Sequence, residues 1–136
     1  MIHRFSENVL VKAAFNAVIT AATVNGAGVD TQTYRHAAAI FNTAPSGAGT
    51  TSDCKLQESP DNAAWADVAG ATFTQGATGA GSTVQLLDVD LAKRQRYLRL
   101  VHTGAGGSAA GQATGTFVLF DGQLLAPAQD VAARSV

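Results

Sequence analysis

Apolar and polar side chains alternate in short runs, and a turn, glycine-bearing in most cases, cuts the runs before they reach helical length. Phe15 to Val24 sets Phe15, Ala17, Ile19 and Ala21 on one face, and NGAGVD ends it. Thr33 to Asn42 sets Tyr34, His36, Ala38 and Ile40 opposite Arg35, Ala37, Ala39 and Phe41. The Thr, Tyr and Phe flanking its three alanines favour strand over helix. From Asp53 to Ser59, Cys54 and Leu56 face inward against Lys55 and Gln57, and SPDNAAW turns by its Pro, Asp and Asn. Asp67–Val68 and Thr72 to Gln75 each fit a short strand, with GATGAGS as the next connection. Val84 to Leu91 alternates with a slip of phase at Leu86–Leu87, which predicts a β-bulge. Tyr97 to His102 and Thr116 to Asp121 complete the set, joined by the long loop GAGGSAAGQATG. Seven to eight short strands without a helix predict an all-β chain, folded as an antiparallel β-sandwich of jelly-roll or Greek-key topology.

At 136 residues the chain fits one domain, since cores stay single below about 200 residues. Its organisation reads as an N-terminal arm over residues 1–14, the sandwich over 15–126 and a polar tail over 127–136. Ala, Gly, Thr and Ser fill 62 positions, whereas Val, Leu, Phe and Ile fill only 31, so the core must be thin. Nine basic residues stand against ten acidic ones, for a net charge of −1. That balance creates no field for binding a polyanion, so no nucleic-acid partner is expected. No apolar run reaches the roughly 18 residues that span a bilayer, so no membrane partner is expected either. Lys12 followed by AAFNAVITAA has the outline of a short secretory h-region, but Glu7 ahead of it and Asn16 within it argue against cleavage. Cys54 is the single cysteine, which rules out an intrachain disulfide and suits a protein made and assembled in a reducing cytoplasm.

The residues that carry chemistry are few. His3, His36 and His102 have no zinc-site spacing, and His36 and His102 read as surface or half-buried sheet positions. No Gly-x-Ser-x-Gly elbow occurs, so no catalytic nucleophile is assigned. Asp88 and Asp90 share one face of a strand, and Asp53, Glu58, Asp61 and Asp67 surround one turn. A calcium site needs several oxygens converging on one point, and these read instead as solvated strand-end carboxylates. The glycine loops at 76–81 and 104–107 lead into strands rather than helices, which makes them hairpin connections and not phosphate cradles. No metal or cofactor is expected. LAKRQRYLRL gathers Lys93, Arg94, Arg96 and Arg99 into a patch able to grip an acidic surface, with the charges also guarding a strand edge. Trp65 either stacks on a sugar ring or plugs the sandwich end, and its alanine neighbours favour the plug.

Four elements between residues 30 and 103 carry a resemblance: Asp30–Thr31 before a strand, KLQES at Lys55 to Ser59, Trp65 after a polar turn, and RYLR at Arg96 to Arg99. In these the chain resembles small proteins encoded near the major capsid gene of tailed bacteriophages, the head decoration or cement proteins of jelly-roll architecture. The resemblance implies a non-enzymatic virion protein that binds and stabilises the outer capsid surface. It implies two partners, the major capsid protein and the chain itself, the latter as a homotrimer on local threefold axes. Apolar residues near the termini without a core position are then expected to be partner contacts: Ile2, Phe5, Val9, Val11, Leu124 and Leu125, together with Arg94 and Arg96 of the basic patch. A carbohydrate-binding sandwich module and a neck or tail adaptor are the alternatives.

Overall fold

The computed structural model describes residues 8–78, 81–106 and 111–122. Its strands are β1 (Val9–Val18), β2 (Thr23–Asn25), β3 (Val29–Asp30), β4 (His36–Pro45), β5 (Thr51–Ser59), β6 (Ala66–Thr72), β7 (Gly76–Ala77), β8 (Thr83–Asp90), β9 (Tyr97–Ala105) and β10 (Gly111–Phe120). One sheet runs β1-β10-β4-β8, and the other runs β2-β9-β5-β6 with β3 also on β9 and β7 also on β5. Every pairing is antiparallel. Because β2 and β3 share one position and β6 and β7 another, ten strands occupy eight places. Numbered along the chain, those places order as 1-8-3-6 in one sheet and 2-7-4-5 in the other. That is the jelly roll, two Greek keys closed face to face.

The core lies between the sheets and is as thin as the composition requires. Its large side chains are Phe41, Phe117, Ile19, Leu56, Leu98, Leu100 and Leu119, all fully buried. Ala37, Ala39 and Ala113 occupy other inward positions, and such short side chains let the sheets approach closely. Phe15 shows how one large ring is fitted. It lies opposite Gly115 in the register, where a methyl group would collide with the ring. Gly104 does the same for the backbone, since a side chain there would strike the Thr20 carbonyl.

Several boundaries differ from the sequence expectation. Residues 9–14, expected as an arm, form the first half of β1, and Leu10 and Ala14 join the core. A bulge between Ala13 and Phe15 reverses the alternation there, burying Ala14 and Phe15 in succession. No bulge interrupts β8, whose register with β4 is continuous from His36↔Asp90 to Thr43↔Thr83. The phase slip at Leu86–Leu87 arises because Leu86 is an exposed apolar residue on the outer face. The expected loop GAGGSAAGQATG shortens at both ends, since Gly104–Ala105 belongs to β9 and Gly111–Gly115 to β10. The strand expected at Asp67–Val68 extends to β6 (Ala66–Thr72), which takes in only Thr72 of the strand expected at Thr72–Gln75, and β7 follows at Gly76–Ala77.

Candidate interaction surfaces

The two outer faces of the sandwich differ in chemistry. On the β2–β9–β5–β6 sheet the outward side chains bond one another in a four-residue chain and a separate pair. Lys55 Nζ donates to Asp67 at 2.8 Å, and Gln57 Nε2 donates to the other carboxylate oxygen at 2.6 Å. Arg99 Nε donates to Gln57 Oε1 at 2.9 Å, and its guanidinium lies 4.4 Å from the Trp65 ring centre. Gln75 Nε2 donates to both oxygens of Asp53. The Lys55 and Gln57 contacts hold the Asp67 carboxyl below its ordinary value. Trp65 is half-buried against Arg99, outside the core cluster, so it is not the plug that the sequence favoured.

The outer face of the β1–β10–β4–β8 sheet is mixed, with exposed apolar side chains set among Thr, Asn, His and Asp. Aligned pairs form rows across it: Val9–Phe120–His36–Asp90, then Val11–Val118–Ala38–Asp88, Ala13–Thr116–Ile40–Leu86 and Asn16–Thr114–Asn42–Val84. Phe120 stacks on His36 with ring centres 5.6 Å apart. Val84, Leu86 and Val18 are the large apolar side chains most open to solvent, at 70, 60 and 47 % exposure. Asp88 and Asp90 give this face its only carboxylates among the described residues, at one corner. As expected, they share a strand face.

The basic patch is consumed within the chain. Arg96 makes a two-pronged bond to Asp30, at 3.1 and 2.7 Å, and its guanidinium also lies over Tyr97. This pair ties β3 to the start of β9 and holds the Asp30 carboxyl below its usual range. Arg94 contacts Glu58 at 3.5 Å, whose other oxygen accepts from the Gln95 amide. Lys93 reaches Asp90 at 3.6 Å. Lys93, Arg94 and Arg96 are therefore each matched to a carboxylate, while Arg99 bonds the neutral Gln57 and covers Trp65.

The carboxylates expected around one turn do not converge. Asp61 accepts from the Ser59 hydroxyl and the Ala63 and Ala64 amides, which closes the β5–β6 turn and lowers its pKa. Asp53, Glu58 and Asp67 each bond elsewhere, as described, and no group of three His, Cys, Asp or Glu forms a metal site among the described residues. Cys54 is buried, and burial pushes its thiol up to about 12, far from a reactive thiolate.

His102 differs from its expected surface or half-buried position, being fully buried. It is 1 % exposed, with its ring stacked on Phe15 at 5.5 Å and near Phe41. Nε2 and the Ser52 hydroxyl share a hydrogen bond of 2.8 Å, and Nδ1 has no partner among the described residues. Burial lowers its pKa, opposed by the charge of Asp53. Nothing in the spacing of His102 distinguished it from His36, because its burial depends on Ser52 of a strand 50 residues away.

Of the expected contact residues, Val9 and Val11 lie on the outer face of the β1–β10–β4–β8 sheet, Val9 buried and Val11 half-buried. Arg94 and Arg96 are paired as described. Ile2, Phe5, Leu124 and Leu125, and the tail from residue 127, lie outside the described residues.

No known protein family matches the chain, and no curated protein of similar sequence is found. Similar folds do occur among solved structures. The PBSX exported protein XepA superposes with a TM-score of 0.59 at 15 % identity, covering 93 % of this chain and 42 % of that one. The structure of infectious bursal disease virus Gx strain gives 0.51 at 15 % identity, covering 83 % of this chain and 32 % of that one. This chain thus spans less than half the length of either, and at such identity the likeness is one of fold.

Proposed function

We propose that this chain is a non-enzymatic structural protein of a virion, binding the outer surface of the capsid and stabilising it. The observation that carries this reading is the set of apolar side chains exposed on the outer face of the β1–β10–β4–β8 sheet. Exposing Val84, Leu86 and Val18 to water is unfavourable by about 25 cal/mol for each Å² left uncovered, so a partner surface is the natural complement. The likeness in fold to the PBSX exported protein XepA and to the infectious bursal disease virus structure supports the same reading. The partners are the major capsid protein and, in a homotrimer, the chain itself. A symmetric oligomer that touches several capsid subunits adds modest contacts into firm attachment.

The test is an image reconstruction of purified particles with and without this protein, combined with a heat challenge. Density on the outer head surface, and bursting at lower temperature without it, is the expected result. Density in the neck or tail with sixfold or twelvefold symmetry would replace the capsid reading by the adaptor reading. A monomer that binds no particle would overturn both.

A further inference from the structure

A jelly roll has four lateral edges, and three of them here are blunted. β1 is bulged at Ala13/Phe15. The β2–β3 edge is two fragments of three and two residues. The β6–β7 edge is likewise split, and β6 shifts register against β5 between Lys55 and Gln57. These are the devices by which sheets avoid unwanted edge pairing. β8 is neither bulged nor split, and its only guards are the charges of Asp88 and Asp90 at one end. It runs eight residues in continuous register with β4, and among the described residues no backbone hydrogen bond reaches Thr83–Asp90 from any other element.

The surroundings of β8 are shaped as well as open. On its inner side a cleft of about 270 Å³ opens between the sheets, lined by Leu56, Val68, Leu87 and Val89 and also by the charged Asp90, Lys93 and Arg94. On its outer side a second cleft, about 420 Å³, is bounded by His36, Asp88, Asp90 and Phe120. The outward side chains along the strand are Val84, Leu86 and then Asp88. Asp90 is engaged with Lys93 and the Ala92 amide, but Asp88 is exposed and has no ionic partner among the described residues. Gln85 does not obstruct the edge, because its side chain is turned to the residue 74 backbone, donating to one group and accepting from the other at 2.8 Å.

We propose that the β8 edge accepts an extended segment of another protein as an added strand. Main-chain bonds to the free edge would hold it, and its side chains would alternate between the two flanks. One set would be apolar and enter the inner cleft over Leu87 and Val89. The other would be apolar against Val84 and Leu86 and basic against Asp88. The unpaired Asp88 favours such a partner over a second copy, because β8 carries no basic residue with which to meet it. The inference is independent of the virion reading, since it concerns an acceptor edge whatever carries the donor strand.

The test uses the full chain and a blocked synthetic peptide, Lys-Val-Ile-Val-Thr-Val-Lys, which presents a base at either end for either strand direction. Binding is followed by the backbone amide signals of isotopically labelled protein. The expected result is shifts concentrated in Val84–Asp90, with binding at least tenfold weaker for the same peptide carrying Glu at both ends or methylated on alternate backbone nitrogens. Leu86→Lys, at an exposed position, should weaken binding at least tenfold with an unchanged melting curve. Asp88→Asn should remove the preference for Lys over Glu ends. Shifts at β1 or β6 instead, equal binding of the methylated peptide, or no binding at millimolar peptide would overturn the proposal. So would a dimer of the free chain that Leu86→Lys dissolves, since the occupant would then be a second copy.

Discussion

Single residues in this core are constrained mostly by what would not fit. Gly115 faces the Phe15 ring directly, so Gly115→Ala forces the ring or the strand aside. The expected loss is about 1–3 kcal/mol, read as a lower denaturation midpoint with an unchanged slope. His102 supplies a pH dependence whose sign follows from its burial. Its folded pKa lies below the ordinary 6.5, so the unfolded chain takes up a proton first as pH falls. The stability contributed by neutral His102 is complete above about 6.5 and declines below it. Asp30, Asp61 and Asp67, all lowered from 3.8, lose their contributions only in stronger acid. Melting temperatures should therefore begin to fall between pH 6.5 and 5, and His102→Gln should flatten that segment while lowering stability at pH 8. Cys54, buried with its thiol near 12, should resist a thiol reagent in the folded chain and react at the rate of unfolding.

Among the elements, β3 is the most dependent on one contact. Two residues pair with β9, and the Asp30–Arg96 bridge and the Thr31 hydroxyl bond to the Arg96 carbonyl reinforce them. Both charged groups are about half exposed, so Arg96→Ala should change global stability little. It should instead speed amide exchange at Val29 and Thr31 while β9 keeps its protection, a difference that exchange mass spectrometry can read. How legible an element was in the sequence followed the regularity of its alternation. β4 and β5 were plain, because Ala37–Ala39–Phe41 and Cys54–Leu56 alternate without interruption. The first half of β1 was hidden by the bulge at Ala14, which reverses the pattern just where the strand enters the core. Leu86 misled for the opposite reason, since an outward leucine imitates a change of phase. The interaction surfaces were least legible. Which face of a strand looks outward can be read locally, but which strand lies at an edge is a property of topology.

For the molecule as a whole, the two outer faces differ in what they expose. One is built of charged and amide groups that bond one another; the other exposes Val84, Leu86 and Val18 among polar neighbours. Replacing Val84 and Leu86 together by lysine should leave the circular dichroism and melting curve of the free chain intact. Under the capsid reading it should abolish particle binding, measured by co-sedimentation, and retained binding would place the contact elsewhere. The strand order has a further effect on how the fold is made. β1 lies beside β10 and β4 lies on the far side of it, so among the described residues β1 has no neighbour in its own sheet until β10 leaves the ribosome. Nascent chains arrested before residue 111 should stay protease-sensitive over β1, however long they wait. With Val9 opposite Phe120, the start of β1 meets the end of β10, so a short linker from one to the other allows new ends to be cut in a distant hairpin without disturbing either sheet.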